Sequence, residues 1–580
     1  MKTSKTSQSK CKRFIFAFTF FFLISSFFYA APKESSIPFT KGLNLINFFD
    51  TWDGSMINGV WHGSQPSLYA YDEQDFACLK SMGIEVIRLV CAFDIFTDEA
   101  YGTGKINEMI LNKLDEVCDW AEKYQIYLII DNHNNHTFDN DKTRSDSKLL
   151  RAQLEAVWNQ IPPRYKDRSE YILYEIMNEP SSTNAAEWYK IQQDIINLIR
   201  TYDKKHTIVA SNVNWSGITE LTQLKPYKDS NLIYTFHFYE PFLFVAQGAT
   251  WVSEDVQDLK GLPFPYDAAR IPELQGKAVN SEWINHYIHN EYKTEGTSEY
   301  INNRINMVAK WIKKNKVKAF AGELGVNYRI VPSDRLAWIN TTISALNANN
   351  IPYCIWGIDD ESSFIKYGSR ERFPEDIDKE ILEAYGFSMP ARDCAENTNI
   401  NLKSFPDKEY LVYDGMYGKG TKATWINCQN SIDDENHKYC LQASYPADAL
   451  HVKFHLHPLV TTKFAAYEKS ISISFSAKFN DKSQEFKIFL QDTDLGDEAP
   501  AWRKEYIVKA SAYPLNKWVT IEIPVSDFKN SRGTWSDVTH KWYDLPSQFT
   551  WDRFQTLYFD FDDYENRKKG DILIDNIKLK

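Results

Sequence analysis

Two glutamates stand where apolar runs stop. Glu179 closes "YILYEIMNEP" at 171–180, and Glu323 lies in "AFAGELGV" at 319–326. A carboxylate at the end of a buried strand is expensive unless it has partners or a task. Two of them facing across a cleft are what cleavage of a glycosidic bond requires. One must be protonated to help the leaving oxygen depart, and the other ionised to attack or support an oxocarbenium-like centre. Their separation sets the outcome, about 5–5.5 Å for retention and about 6.5–9.5 Å for inversion.

Other strand ends carry groups able to hold the two glutamates in different states. In "IEVIRLVC", Ile84, Val86, Arg88 and Val90 share one face, so Arg88 points inward and would keep a neighbouring carboxyl ionised. In "YTFHFYEP", His237 and Tyr239 are two apart and project to the same side, with Tyr239 placed to donate to a nucleophile. "DNHNNH" puts His133 at the end of one run, and "YCIWGID" puts Trp356 at the end of another, as a sugar platform or as core. Glu175 shares parity with Glu179 but lies deeper, where a buried ion pair is expected instead of catalysis. His133 and His136 lack a third ligand at zinc spacing, so a hydrogen-bonded His133 is expected.

The elements that must position these groups are eight short apolar runs, most followed by an amphipathic stretch, from about residue 40 to 388. Such alternation implies parallel strands with crossover helices, and eight units imply a (β/α)₈ TIM barrel. In that fold functional groups gather at the C-terminal ends of the strands, which is where Glu179 and Glu323 fall. One helical face is expected along Trp188, Ile191, Ile195, Leu198 and Tyr202, and Cys118 is expected to be a small core residue. A long insertion from Glu240 to about Thr297 suits a cleft wall. After about residue 395 the pattern turns to short alternating runs separated by turn residues, the signature of an all-β sandwich of jelly-roll type. The expected order is therefore a signal peptide at 1–31, a barrel at 37–388, a linker at 389–400 and a sandwich at 401–580.

"NEP" at 178–180, "GELG" at 322–325, Arg88, His133, "HFY" at 237–239 and Trp356 together resemble glycoside hydrolase family 5, of the retaining (β/α)₈ clan. The resemblance covers roughly residues 40–385. It implies Glu179 as acid/base, Glu323 as nucleophile, and Asn178 as the group that hydrogen-bonds the sugar 2-hydroxyl. Arg88, His133, His237, Tyr239 and Trp356 would support them. The implied activity is that of an endo-β-1,4-glucanase (cellulase). The alternatives are a β-mannanase, a xyloglucanase or another β-glycanase on the same residues, or a non-catalytic glycan-binding protein. The implied partner is a β-linked polysaccharide, and no catalytic cofactor or metal is required. The ending "GDILIDNIKLK" resembles the last strand of jelly-roll carbohydrate-binding modules, which implies a structural calcium near Asp575. Trp425, Trp502, Trp518, Trp535, Trp542 and Trp551 would supply a glucan groove, or else only core.

The totals agree with this reading. The net charge of −12, without a basic stripe, argues against nucleic acid and anionic membrane as partners. Aromatic residues make up 15% of the chain, a composition suited to sugar faces. Lys2, Lys5, Lys10, Lys12 and Arg13 precede a 15-residue apolar run at 14–28, an export signal with cleavage expected near Ala30 or Ala31. That implies a secreted protein, or a periplasmic or cell-surface one in a bacterial host, free of the membrane after cleavage; a monomer is expected. Cys428 and Cys440 lie close enough in sequence to form a disulfide.

Overall fold

The computed structural model describes residues 37–51, 54–57, 60–63, 66–133, 146–181, 183–249, 251–358, 360–366, 377–391, 409–437, 439–445, 449–456, 461, 470–497, 499–536, 538–562 and 570–580. The expected signal peptide at 1–31 lies outside them, as does most of the expected linker.

Each of the eight apolar runs forms a strand, and the eight close into a parallel barrel. They are β1 (Lys41–Phe49), β2 (Val86–Cys91), β3 (Tyr127–Asn132), β4 (Ile172–Glu175), β5 (Thr207–Ala210), β6 (Leu232–Phe238), β7 (Ala319–Leu324) and β8 (Tyr353–Ile355). Every strand pairs with its sequence neighbours, and β8 returns to β1 with Gly42 opposite Cys354. Both faces of these strands are covered, which is why they read as continuous runs of Ile, Leu and Val without alternation. Several crossover helices start on side-chain caps, among them Asp72 before Glu73–Ser81, Asn107 before Glu108–Tyr124 and Asn184 before Ala185–Tyr202. Cys118 is buried with Leu111, Leu114, Val117 and Ala121, as expected. In Ala185–Tyr202 the buried face runs through Ile196 and Ile199, and Tyr202 is 40% exposed. A turn of 3.6 residues rotates an i, i+3/i+4 stripe away from its first line over five turns.

Two six-stranded antiparallel sheets form the C-terminal region. One runs β11 (Gln429–Ser431), β12 (Cys440–Tyr445), β22 (Gly570–Leu579), β14 (Ser472–Phe479) and β17 (Val519–Pro524), with β9 (Tyr410–Tyr413) also on β22. The other runs β10 (Thr421–Ile426), β13 (His451–Leu456), β21 (Phe554–Asp560), β15 (Glu485–Asp492), β16 (Arg503–Lys509) and β18 (Lys529–Asn530). Their inner faces share one apolar cluster that includes Phe454, Phe475, Phe486, Phe559 and Ile574. A separate hairpin, β19 (Arg532–Ser536) and β20 (Lys541–Pro546), stands off both sheets.

Cys428 and Cys440 are both free thiols, so the disulfide that their spacing allowed does not form. The register explains it. Ser431 lies opposite Cys440 and Gln429 opposite Gln442, which leaves Cys428 beyond the end of β11 and several positions away from Cys440.

Residues 39–580 form one compact unit, barrel and sandwich together. Met416 and Tyr439 of the C-terminal region pack into the barrel's own apolar cluster. Lys419 Nζ lies 2.6 Å from Asp72 and 2.8 Å from Asp75, and Tyr439 Oη accepts from Asn107. No helix among the described residues is long and apolar enough to cross a membrane.

Candidate active site

Arg88 is the hub of the barrel's C-terminal mouth. Fully buried on β2, its guanidinium reaches groups from most sides of the ring. Nε and Nη2 donate to the two oxygens of Glu175, each at 2.8 Å. Nη1 donates to Glu323 at 2.7 Å and to Asn44 at 2.9 Å, and Nη2 also donates to Asn178 at 2.8 Å. Asp131 lies 3.0 Å from Nη2. Only a planar, five-donor fork can serve so many acceptors at once.

Strand β4 stops at Glu175, four residues before Glu179. Beyond it the chain still runs between its neighbours: Ile176 N donates to Val209 O, and Asn178 N to Asn132 O at 3.0 Å. Glu179 then turns with φ at 40°, in the left-handed region that a side chain rarely takes. That turn brings Glu179 Oε1 to 2.6 Å from His237 Nδ1 on β6. His237 stands opposite Glu323 in the β6–β7 pairing, with Nδ1 3.4 Å from Glu323 Oε2. Tyr239 Oη donates to Glu323 Oε2 at 3.0 Å. Oxygens of Glu179 and Glu323 and a nitrogen of His237 all lie within 4.8 Å of one another. Gly322 precedes Glu323 because a Cβ there would fall 2.2 Å from Thr235 Oγ1.

A second chain orients the amide of Asn178. His133 Nδ1 donates to Asp131 Oδ2 at 2.7 Å, so its Nε2 is left to accept from Asn178 Nδ2 at 3.0 Å. Asn178 Oδ1 then faces Arg88. The Trp356 ring lies 5.9 Å from that of His133, tilted by 32°, and stays half-buried.

The electrostatics separate the two glutamates. One guanidinium faces Asp131, Glu175 and Glu323, with Glu179 close behind, so these carboxyls cannot all be charged in a dry barrel mouth. Burial pushes Glu179 up to about 8, against the pull of Arg88 and with the charges of Asp131 and Glu175 adding to the push. Its side chain remains 21% open to the cleft. Burial raises Glu323 too, opposed by His237 and Arg88. Because Glu323 holds direct bonds from Arg88 and Tyr239, it keeps its charge to lower pH than Glu179 does. Burial takes His237 down to about 4, so at neutral pH it is a neutral imidazole. Burial first, and the Glu323 charge second, hold the Tyr239 phenol well above its usual value, so it stays a donor.

Every expected site residue of the barrel thus converges: Glu179, Glu323, Arg88, His133, Asn178, His237, Tyr239 and Trp356. Glu175 is the buried ion-pair partner that its depth implied. Asp131 and Asn44 are additions. Asp131 has the parity of His133 in "IIDNH", the same spacing that singled out His237 and Tyr239. His136 lies outside the described residues.

The sandwich answers less uniformly. Trp502 is buried, Trp425 donates to Tyr417 Oη at 2.6 Å, and Trp518 stacks on His437 with centroids 3.8 Å apart. Trp551 packs edge-on to Phe549. Trp535 and Trp542 alone of the six are exposed. At Asp575, near which a calcium was implied, Oδ2 lies 2.8 Å from His437 Nδ1 and Oδ1 takes the Asn576 N–H at 2.8 Å.

Known proteins are similar to the barrel segment of this chain. The cellulase model of glycosyl hydrolase family 5 matches residues 46–362. Endoglucanase 3 of Fibrobacter succinogenes is 29% identical over 359 residues, 59% of this chain and 52% of its own, so the chain spans about half of that relative. Endoglucanase H of Acetivibrio thermocellus is 22% identical over 94% of this chain and 54% of its own. Among solved structures, Thermotoga maritima Cel5A in complex with cellobiose aligns with a TM-score of 0.47 at 22% identity, over 60% of this chain and 96% of its own. The matched segment takes in all eight of the convergent side chains and more than half of the residues, and the chain belongs to glycosyl hydrolase family 5.

Proposed function

We propose that this protein is a secreted, retaining endo-β-1,4-glucanase working by double displacement. One observation carries the reading: Glu179 and Glu323 bring carboxyl oxygens within 4.8 Å of each other while holding unlike partners. That spacing falls short of the about 6.5–9.5 Å that inversion uses and suits a nucleophile in contact with the sugar. Glu323 attacks the anomeric carbon as the glycosidic C–O bond breaks, and Glu179 delivers its proton to the departing oxygen. The ester so formed has lost the charge of Glu323, so Glu179 becomes more acidic. It then takes a proton from water, whose oxygen attacks the anomeric carbon and frees Glu323. Asn178, aimed by His133 and Arg88, is placed for the 2-hydroxyl, and Trp356 for the sugar face. Similarity to endoglucanases of Fibrobacter succinogenes and Acetivibrio thermocellus favours a β-glucan as substrate. Export rests on the basic and apolar run before residue 32.

The pH profile tests the assignment of the acid. Glu179 must be protonated to act, so kcat/KM should fall as pH rises through about 8. Glu323 must be ionised, which gives the acidic limb. In Glu179→Gln the alkaline limb should vanish, and kcat on cellulose should drop by roughly 10²–10⁴-fold, the usual contribution of a general acid. An alkaline limb unchanged in that variant would remove the assignment.

Substrate class is tested by reducing-end release from carboxymethyl cellulose, mixed-linkage β-glucan, xyloglucan and galactomannan, with the anomer followed by NMR. Release fastest from the first two, with a β-anomer formed first, is expected. Preference for galactomannan or xyloglucan would reassign the substrate, and an α-anomer formed first would reverse the stereochemistry.

A further inference from the structure

The β19–β20 hairpin is built to display two indoles. Trp535 and Trp542 are direct cross-strand partners, so both project from the same face. They are 40% and 59% exposed, unusual for the largest apolar side chain. The opposite face is fastened down. Thr534 donates to Ala501 O, Ser536 Oγ donates to Asp494 at 2.9 Å, and both residues are buried. Tyr543 Oη donates to Asp497 at 2.5 Å. Gly533 completes the display. It has φ at 80°, and a Cβ on it would sit 2.5 Å from Cζ2 of Trp542, so the indole lies over bare backbone. At the edge of the indole-bearing face, Arg532 Nε donates to Asp544 at 2.8 Å, an exposed pair.

We propose that this face is a second glycan-binding surface, seating a β-linked glucan chain apart from the barrel cleft. Equatorial hydroxyls leave the two faces of a β-glucosyl ring lined with C–H groups, which lie flat on indole planes. The hydroxyls at the ring edge meet the Arg532–Asp544 pair, whose members donate and accept respectively. The charges of the hairpin are matched, Arg532 with Asp544 and Lys541 with Asp497. A matched surface suits a neutral polymer better than a charged protein or membrane. The hairpin is held by Asp494, Asp497 and Ala501, so the two planes are fixed before the ligand arrives. The choice of glucan rests on the reading of the barrel as a β-glucanase; the existence of the surface does not.

The test measures retention of the full chain on insoluble cellulose at 4 °C, where turnover is slow. The double variant Trp535→Ala/Trp542→Ala should bind at least tenfold more weakly than wild type. Trp535→Phe/Trp542→Phe, which keeps flat rings, should recover most of that loss. On wild type, N-bromosuccinimide oxidation mapped by mass spectrometry should show cellulose protecting both indoles. Equal binding of the alanine variant and wild type, or indoles left unprotected, overturns the proposal. So does a wild-type dimer that the alanine variant abolishes while still binding cellulose as before, since the face would then be a subunit contact. Failure of the barrel reading shows separately, as a polymer panel in which hydrolysis does not follow glucan while cellulose retention still depends on the hairpin.

Discussion

Replacing Glu323 by alanine lowers kcat/KM on cellulose by on the order of 10⁵-fold or more, the scale seen when one member of a catalytic unit is removed. The reason is positional as well as chemical. Glu323 is the carboxyl that Arg88 and Tyr239 both address, at 2.7 and 3.0 Å, and no other oxygen can take its place against the anomeric carbon. The variant should still bind polysaccharide, because Trp356, Asn178 and the hairpin are untouched. An alanine leaves a space lined by Arg88, His237 and Tyr239, which suits a small anion. With an aryl β-cellobioside whose leaving group needs no proton, azide should therefore restore turnover and yield the α-glycosyl azide. A variant that keeps wild-type activity, or one rescued to a β-azide, would take the nucleophile's role away from Glu323.

The second large effect is on the fold itself. Arg88→Met keeps an unbranched apolar stem and removes the cation. Asp131, Glu175 and Glu323 then face one another without it, and a buried ionic network broken on one side is destabilised by about 3–5 kcal/mol. At about 2–4 °C per kcal/mol for a domain of moderate size, Tm should fall by roughly 6–20 °C. The pH dependence identifies the cause. Without Arg88 these carboxyls titrate higher in the folded than in the unfolded chain. The deficit is then small below the unfolded carboxyl pKa and grows as pH rises through the raised folded values. Melts at about pH 4.5 and 8 should therefore converge at the acidic end, with wild type well ahead at the alkaline one. A deficit independent of pH would mean that Arg88 acts through packing alone. Activity should also be lost in the folded fraction, since Glu323 would no longer be held ionised.

The barrel and its two glutamates were legible because burial on both faces writes eight uninterrupted apolar runs, and because a carboxyl at the end of such a run is conspicuous. Parity alone placed Arg88 inside and paired His237 with Tyr239. Asp131 and Asn44 escaped because each sits within a run, where a single polar residue reads as an interruption until its partner is known. The apolar run that Glu179 closes also outlasts its strand, which ends at Glu175, since "IMN" continues the apolar pattern beyond the last paired residue. Local sequence carries no record of the register that parts Cys428 from Cys440. Six tryptophans in the sandwich looked alike, yet Trp502, Trp518 and Trp551 lie outside the strands and Trp425, Trp535 and Trp542 within them, a division that local sequence does not mark. Trp535 and Trp542 are exposed because they are cross-strand partners on one face of a hairpin that pairs with neither sheet.

Met416 and Tyr439 carry one last implication. They belong by sequence to the C-terminal region and by packing to the apolar cluster of the barrel domain, with Lys419 pinned to a helix cap of that domain. Recombination that exchanged the terminal segment for another of the same architecture would bring in a foreign residue at each of these seats. Such chimeras would inherit a hole or a clash where the donor lacked a matching thioether and phenol. The pair should therefore travel through descent as an indivisible whole, unlike cassettes that trade freely across a tether.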